Sequence, residues 1–405
     1  MFRSYKYRLY ATPEQEKILN SWLGQLRFVW NHFLNENQKE YGANKKFIWK
    51  YGLNNLLPDL KKQYQWISAP SQSLQHISEN LDKALKKFCK NKTTIGFPKF
   101  KSKYGTPTGI HIPQQVGQIK TGKNFIKIPK LGEIKWVLHR PMKGVLKSIT
   151  ITRDVDQWYV SCLCEMPDSI GLEITNFDNE VTGIDLGIKT FIVDSDAVIY
   201  ELPKNIQRKE LRRKKYQRHL AKKKKGSKNQ LKAKLKVARA YRKERRARAD
   251  FHHKISSQIA NENIAVVCED LSVKNMVKNH CLAKAISEQG WSQFVEFLNY
   301  KLVFKGGELI KINRFFPSSQ MCSNCSTRQK MSLDMRTYNC PTCGFSIDRD
   351  LNAARNIKEE GIRILFDRAG TVRINACGDT AILVSVNQEK SLGPIIGSLE
   401  ATGSF

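Results

Sequence analysis

The sequence predicts a multidomain α/β protein, and three observations lead to that prediction. Apolar residues recur at helical spacing between about residues 13 and 90, and the period changes to two between about 105 and 168. Beyond residue 180, strand-like and helix-like patterns alternate, as they do in a layered α/β core. Two Cys-x-x-Cys pairs follow late in the chain. With 405 residues, the chain has room for two or three domains.

The chain opens with a predicted strand and helix. Residues 2–10 alternate Tyr and Leu with basic residues, which predicts a strand with one basic face. Thr12, Pro13 and Gln15 have the spacing of a capping box with proline at the first helical position. An apolar stripe from Ile18 to Leu34 then predicts a helix that packs against a core.

A second helix is predicted from Ser71 to Cys89, after a break near residues 66–70. Residues 96–103 combine Gly and Pro with alternating Phe and Lys, which suits either a solvated turn or contact with nucleic acid. Strands are predicted at 125–128, 133–138, 146–152 and 158–165. Residues 1–10 and 104–170 would form one β domain, with residues 11–103 as a helical insert.

Residues 169–180 are polar and aperiodic, so we expect a linker there. Two paired strands are predicted next, at Ile184–Val193 and Ala197–Leu202, around a turn at residues 194–196. A helix leading into a strand at Ile264–Cys268, a helix at 291–304 and a strand at 308–312 complete the α/β pattern.

Basic charge is concentrated between Lys204 and Arg248. The formal net charge of the chain is +32, and this segment holds 22 Lys or Arg against Glu210 and Glu244, so it contributes +20. Residues 222–228 interrupt the segment, which predicts two basic helices in a hairpin. Like charges one helical turn apart repel, so a solvated face is a poor explanation, and a polyanion such as nucleic acid is the expected partner.

Three acidic residues stand at the ends of predicted elements. Asp185 follows Gly183 near a strand edge, Glu269 ends the strand at Ile264–Cys268, and Asp350 opens a helical run. Hydrolysis of a phosphodiester by two divalent ions needs several carboxylates at one point. We therefore predict that the three residues form one Mg²⁺ site. Asp270 and Asp348 lie close enough to compete for these roles, although Asp348 could instead cap the helix.

The two Cys-x-x-Cys pairs are Cys322/Cys325 and Cys340/Cys343, with 14 residues between them. Four thiolates at this spacing predict a closed tetrahedral zinc site with a structural role. We expect residues 326–330 and 337–339 to form the two strands of a ribbon around it. The other six cysteines are scattered, which is typical of reduced thiols in a core.

No apolar run is long enough to span a bilayer, and the N-terminus has no signal-peptide pattern. We therefore expect no membrane partner and a cytoplasmic location, close to the nucleoid of a prokaryotic cell.

Several motifs resemble the TnpB family of insertion-sequence nucleases, which is related to type V CRISPR effectors. They are Tyr-Arg-Leu-Tyr-Ala-Thr-Pro-Glu-Gln at 7–15, Gly-Phe-Pro-Lys-Phe-Lys-Ser at 96–102, Gly-Ile-Asp-Leu-Gly at 183–187, Glu-Asp-Leu at 269–271, Ser-Gln-Met-Cys-Ser-Asn-Cys at 319–325 and Asp-Arg-Asp-Leu-Asn-Ala-Ala-Arg-Asn-Ile at 348–357. The last motif, together with the cysteine pairs before it, is the most specific. Ser326 departs from the family pattern, which commonly has Gly after the first cysteine pair.

The resemblance implies an RNase H-like RuvC domain at 181–318 and 346–362, interrupted by a zinc ribbon at 319–345. It also implies that the β domain is a barrel-like wedge domain and that the helical insert is a recognition domain. Residues 363–405 would be a flexible tail.

The implied activity is RNA-guided cleavage of double-stranded DNA next to a short target-adjacent motif, with a guide RNA from the transposon end. Asp185, Glu269 and Asp350 would be the catalytic, Mg²⁺-binding residues, and the protein would act as a monomer with its RNA. Two other hypotheses remain: a non-catalytic nucleic-acid-binding regulator of transposition, and a transposase that joins strands as well as cutting them.

Overall fold

A computed structural model describes residues 1–103, 105, 109–113, 118–167, 177–332, 334–369, 373–374 and 380–381. The chain divides into two compact units, with the boundary between Asp168 and Ser169. Most of the expected linker at 169–180 lies outside the described residues, and its last four form a short helix, α5 (Phe177–Glu180).

The first unit contains a seven-stranded sheet in which the N-terminal strand is internal. Its order is β2-β6-β7-β1-β5-β4-β3, and every pair is antiparallel. Because β1 pairs with strands more than 120 residues away, the helices between β1 and β2 form an insertion in the sheet, as the sequence predicts. The strands are β1 (Phe2–Tyr10), β2 (Ile110–Pro113), β3 (Lys120–Thr121), β4 (Phe125–Ile128), β5 (Gly132–Val137), β6 (Val145–Asp154) and β7 (Gln157–Glu165).

The inserted helices are α1 (Pro13–Asn44), α2 (Lys50–Asn55), α3 (Leu57–Gln63) and α4 (Ser71–Lys90). The predicted capping box is confirmed, since the Thr12 side chain accepts from the Gln15 N–H and the Gln15 side chain accepts from the Thr12 N–H. Ile18 is more exposed than the apolar stripe predicts. Residues 96–103 are not a freely solvated turn, because Lys101 Nζ lies 3.7 Å from the centre of the Trp30 ring on α1.

The second unit contains a five-stranded sheet with the order β10-β9-β8-β11-β12. The three strands β8, β11 and β12 are mutually parallel, while β9 and β10 are antiparallel to their neighbours. The strands are β8 (Val181–Leu186), β9 (Ile192–Asp194), β10 (Ile199–Tyr200), β11 (Ala265–Glu269) and β12 (Glu308–Ile312).

Ile184–Val193 is therefore not a single strand, and that prediction is wrong. The chain reverses between Gly187 and Phe191, where the Gly187 N–H donates to the Phe191 carbonyl. A β-carbon on Gly187 would lie 2.6 Å from the Thr190 carbonyl oxygen, so this tight reversal needs glycine.

Besides α5, the helices of this unit are α6 (Lys204–Ala221), α7 (Lys228–Glu262), α8 (Val273–Met276), α9 (Ala283–Gln289), α10 (Trp291–Lys305) and α11 (Arg349–Ala369). The predicted basic hairpin is α6 and α7, and α7 also includes the helix that leads into β11. Two-residue and three-residue strands complete the described part: β13 (Thr337–Asn339), β14 (Ser346–Asp348), β15 (Arg373–Ile374) and β16 (Thr380–Ala381).

The expected tail from residue 363 is corrected, because α11 continues to Ala369. Leu365, inside that helix, is 2% exposed and packs in the core beside the sheet. Most of the remaining residues to 405 lie outside the described part of the chain.

Strand β11 lies between two helical layers. Ala265 and Val267 belong to the apolar cluster on the α11 side, whereas Val266 and Cys268 pack with side chains from α7 and α10. Alternate residues of a strand point to opposite faces, so the sheet separates α11 from α7 and α10. This layering determines which side chains of each strand face α11.

Candidate functional site

Asp185 and Glu269 lie on neighbouring parallel strands and face the same helix. The β8–β11 register pairs Val267 with Gly183 and Cys268 with Ile184, which brings Glu269 level with Asp185. Gly183 and Val267 face α11. Asp185 and Glu269 each lie two residues further along the same strands, so they are on the same face of the sheet. The carboxyl ends of two parallel strands thus bring together two acids that are 84 residues apart in sequence.

Asp350 reaches the same edge through α11, whose first turn it occupies. Helix α11 crosses β8 in direct backbone contact: a β-carbon on Gly183 would lie 2.2 Å from the Ala354 carbonyl oxygen and 2.5 Å from the Lys358 nitrogen. It crosses β11 at Gly361, where a β-carbon would overlap the Val267 side chain at 2.2 Å. Two glycines therefore bring α11 close to the sheet.

The electrostatics of Asp185 reflect its two acidic neighbours. Burial is the largest cause that raises the pKa of Asp185 to about 7, and the Glu269 and Asp350 carboxylates add to it. The Arg349 guanidinium opposes this increase. Burial also raises the pKa of Glu269, against the effect of its hydrogen bond from Ser318. A carboxylate whose pKa is raised by two neighbouring carboxylates favours a cation among them.

Asp270 and Asp348, the two nearby acids that could compete for the metal-binding roles, have other partners. Asp270 is in ion pairs with Arg314 at 2.6 Å and Lys311 at 3.8 Å. Asp348 Oδ1 accepts hydrogen bonds from the backbone N–H groups of Asp350 at 2.9 Å and Leu351 at 3.2 Å. Asp348 is therefore the N-terminal cap of α11, which leaves Asp350 as the acid of the first turn.

The donor set at this edge consists of carboxylate oxygens, which are the ligands that Mg²⁺ prefers. Among the described residues, these three carboxylates do not form a cluster tight enough for one ion, as the four cysteines do. The donor chemistry of these residues thus fits Mg²⁺.

The sulfur atoms of Cys322, Cys325, Cys340 and Cys343 all lie within 4.8 Å of one another. Cys322 and Cys343 are 3.7 Å apart at sulfur, and Cys325 and Cys340 are 3.5 Å apart. Tetrahedral coordination at a Zn–S distance of about 2.3 Å places sulfurs roughly 3.8 Å apart. The cluster therefore matches the geometry of a four-thiolate zinc site.

The strands around this cluster differ from the prediction. Thr337–Asn339 pairs with Ser346–Asp348, rather than with residues 326–330. Residues 326–330 contribute one isolated bridge, between Met321 and Arg328. Each cysteine pair is followed by a residue with positive φ, Ser326 at 61° and Gly344 at 71°.

Several residues that support the site were not predicted. Asn352 and Asn356 on α11 donate to the Met321 carbonyl at 2.6 and 2.8 Å, next to the first cysteine pair. Ser318 donates to Glu269 Oε1 at 2.7 Å. Polar residues in a helical run usually indicate an exposed face. The one signal in the sequence is that Asn352 and Asn356 both lie within the TnpB-like motif at 348–357.

Both acids of the basic hairpin are in ion pairs. Glu244 is buried and is in ion pairs with Arg213 at 2.6 Å and Arg248 at 3.3 Å, while Glu210 contacts Lys214 and Lys284. Most of the other Lys and Arg side chains of the hairpin are exposed. The surface of α6 and the first half of α7 is thus strongly cationic.

The scattered cysteines only partly match the expected core thiols. Cys162, Cys164 and Cys268 are buried, whereas Cys89 and Cys281 are exposed, and Cys377 lies outside the described residues. Within the part of the chain that the structure describes, no helix combines the length and apolar character needed to cross a bilayer.

Family models match most of the chain in three pieces. The OrfB_IS605 model, described as "Probable transposase", matches residues 161–280, and the model "Cas12f1-like, TNB domain" matches residues 291–357. A model described as "Helix-turn-helix domain" matches residues 1–46, where the structure has β1 followed by the single long helix α1.

The fold is similar to that of a solved complex, "Cryo-EM structure of the Cas12f1-sgRNA-target DNA complex", with a TM-score of 0.55 and 16% sequence identity. The match covers 88% of this chain and 98% of that chain. It supports a mixed α/β multidomain fold of the same kind.

Curated relatives match over nearly the full length. A "Putative RNA-guided DNA endonuclease" of Streptomyces pristinaespiralis is 33% identical over 93% of this chain and 91% of that protein. "Putative RNA-guided DNA endonuclease InsQ" of Escherichia coli (strain K12) is 28% identical over 90% of this chain and 93% of that protein. "TnpB-like protein L770" of Acanthamoeba polyphaga mimivirus is 23% identical over 89% of this chain and 73% of that protein. The chain therefore belongs to the TnpB family.

Proposed function

We propose that the protein is an RNA-guided DNA endonuclease of a transposable element. It cleaves double-stranded DNA next to a short target-adjacent motif, at a RuvC-like site built from Asp185, Glu269 and Asp350. The observation that carries this proposal is the meeting of the three acids at one sheet edge, where burial, followed by the Glu269 and Asp350 carboxylates, raises the pKa of Asp185. The names of the full-length relatives support the guided activity.

The proposal also assigns a role to each part of the chain. Residues 181–318 and 346–369, to the end of α11, form the RuvC-like nuclease, and residues 319–345 form the zinc ribbon. The seven-stranded sheet of residues 1–10 and 104–170 is the wedge domain, and residues 11–103 are the recognition insert. The guide RNA contacts the cationic surface of α6 and α7, and the protein acts as a monomer with that RNA, near the nucleoid.

The chemistry assigned to the site is hydrolysis of a DNA phosphodiester. Two Mg²⁺ ions, when bound, would activate the attacking water and stabilise the leaving 3′-oxygen. Asp185, Glu269 and Asp350 would hold these ions, and Ser318 would fix one oxygen of Glu269 while the other remains available to a metal. The Arg349 guanidinium opposes the pKa increase of Asp185 and so favours the charged form of that carboxylate.

The zinc ribbon has no part in this chemistry. Its four thiolates complete a tetrahedral set and leave no position for water or substrate. Its role is to hold the chain between β12 and α11, which separates Glu269 from Asp350 in sequence.

The experiment that tests the guided activity is purification of the protein from cells that carry its own element, followed by sequencing of copurified RNA. We expect one RNA species whose end matches the transposon end, and Mg²⁺-dependent cleavage of a DNA complementary to its guide segment. Absence of a specific RNA, with DNA binding retained, would instead favour the non-catalytic regulator. Joined DNA products would favour the transposase.

A further inference from the structure

Ser318 links the start of the zinc ribbon to a carboxylate of the sheet. Its hydroxyl donates to Glu269 Oε1 at 2.7 Å across 49 residues of sequence. Ser318 is only 6% exposed, so bulk water has little access to replace this hydrogen bond. A Glu side chain has several rotatable bonds, and a buried donor at one oxygen restricts the positions that the other oxygen can occupy.

The backbone of Ser318 is itself fixed against α11. Asn356 Nδ2 donates to the Ser318 carbonyl at 2.7 Å and to the Met321 carbonyl at 2.8 Å. Asn356 is 4% exposed, so its amide supplies these buried carbonyl groups with a donor that water would otherwise have to provide.

The same segment is fixed again at the first cysteine pair. Asn352, which is fully buried, donates to the Met321 carbonyl at 2.6 Å, and its Oδ1 accepts from the Ser323 N–H at 3.0 Å. Ser323 lies between Cys322 and Cys325. Residues 318–323 are therefore attached to α11 by two asparagines, and Asp350 lies in the first turn of that helix.

We propose that Ser318 is a positioning residue for Glu269, held in place by the attachment of the ribbon to α11. Glu269 and Asp350 come from different elements, and residues 318–323 contact both elements: Ser318 binds Glu269, and Asn352 and Asn356 bind the segment to the helix of Asp350. This inference rests on the proposed function, because it treats Glu269 as a metal ligand. A partner that orients a metal-binding carboxylate typically changes metal affinity or activity by about 10- to 100-fold.

The test measures Mn²⁺ binding to the full-length, zinc-loaded protein by electron paramagnetic resonance, in wild type and in three serine variants. Ser318→Ala removes the hydroxyl, and Ser318→Thr retains it. Ser319→Ala is the matched control, since the neighbouring Ser319 hydroxyl makes no hydrogen bond to the described residues. Zinc content is measured on every sample.

We expect Ser318→Ala to bind Mn²⁺ about 10- to 100-fold more weakly, with wild-type zinc content. Ser318→Thr and Ser319→Ala should bind like wild type. Wild-type affinity in Ser318→Ala, or equal weakening in Ser318→Thr, would overturn the role of the hydroxyl. Loss of zinc in Ser318→Ala would also overturn it, because the effect would then act through the ribbon.

Asn356→Ala tests the attachment to α11 separately. It should weaken Mn²⁺ binding in the same direction as Ser318→Ala, and unchanged affinity would show that the helix does not hold Ser318 in place for this purpose. If Asp185→Ala binds Mn²⁺ as well as wild type, the carboxylate site itself is refuted. Failure of the proposed function is thereby distinguished from failure of the Ser318 role.

Discussion

Replacing Gly183 with alanine should displace α11 from the central strand and thereby separate Asp350 from Asp185. The added β-carbon would lie 2.2 Å from the Ala354 carbonyl oxygen and 2.5 Å from the Lys358 nitrogen, both backbone atoms of α11. Ordinary contacts begin near 3.4 Å, so strand and helix would have to move apart by about 1.2 Å at this point. Neither atom belongs to a side chain that could rotate away.

The expected cost is roughly 1–3 kcal/mol in the free energy of unfolding, as for other insertions into a packed core. The effect on activity should be larger, because a misplacement of about 1 Å at a catalytic group can cost roughly 100-fold in rate. Cleavage of guide-matched DNA by the purified protein with its RNA measures the second effect, and thermal unfolding measures the first.

Gly42→Ala is the matched control. Gly42 lies in α1, and a β-carbon there has no heavy atom within 4 Å. The same substitution should leave cleavage unchanged and stabilise the helix by about 0.5–1 kcal/mol. A Gly183→Ala protein that is folded, retains zinc and cleaves at the wild-type rate would refute the argument that this glycine sets the distance between the two acids.

Four further predictions concern the ribbon, a buried histidine and the basic hairpin. Cys340→Ser should abolish zinc binding, measured by metal analysis, and reduce cleavage by disturbing the attachment of the ribbon to α11; unchanged zinc content would contradict the four-cysteine site. Ser326→Gly should slow transfer of zinc to a chelator, since a φ of 61° costs a serine roughly 1–2 kcal/mol; faster transfer would count against this. Burial lowers the pKa of His252 to about 4, so the unfolded chain binds its proton more readily below pH 6.5, and stability should fall as pH decreases from 6.5 towards 4. Denaturation at pH 7.5 and 5 should show a loss of about 2 kcal/mol that His252→Phe lacks, and equal losses in both proteins would refute the assignment. Replacing Lys222–Lys225 with glutamine should weaken RNA binding and make it less steeply dependent on salt, because fewer counterions are released; an unchanged slope would place the RNA elsewhere.

The features that the sequence predicts correctly depend on short-range chemistry. The capping box at Thr12 and Gln15, the strand at Phe2–Tyr10 and the basic hairpin each involve residues close in sequence, so their patterns determine them directly. The four cysteines also come together as predicted, because two short pairs supply a complete tetrahedral ligand set.

The errors have three different physical causes. Residues 184–193 read as one apolar run, but the tight reversal after Gly187 divides the run between β8 and β9. Residues after 362 lack a clear period, yet α11 continues because Leu365 packs against the sheet. The predicted pairing of residues 337–339 with residues 326–330 is also wrong, because strands this short carry little information about their pairing partner.

Part of the candidate site could be predicted from the sequence and part could not. The three acids were identifiable from their places at element ends, and the resemblance to TnpB proteins assigned them a role. Their proximity depends on the crossing of α11 over β8 and β11, which requires glycine at 183 and 361. Such a crossing has no local pattern, and neither has the hydrogen bond from Ser318 to Glu269.

The central claim is that Asp185, Glu269 and Asp350 form one metal-dependent nuclease site. The most direct measurement compares cleavage of guide-matched double-stranded DNA by wild type, Asp185→Ala and Asp270→Ala, each purified with its RNA and supplied with Mg²⁺. We predict that Asp270→Ala cleaves, because Asp270 is in ion pairs with Arg314 and Lys311. Asp185→Ala should bind RNA and DNA nearly as wild type does and produce no cleavage, and cutting by Asp185→Ala at the wild-type rate would contradict the account.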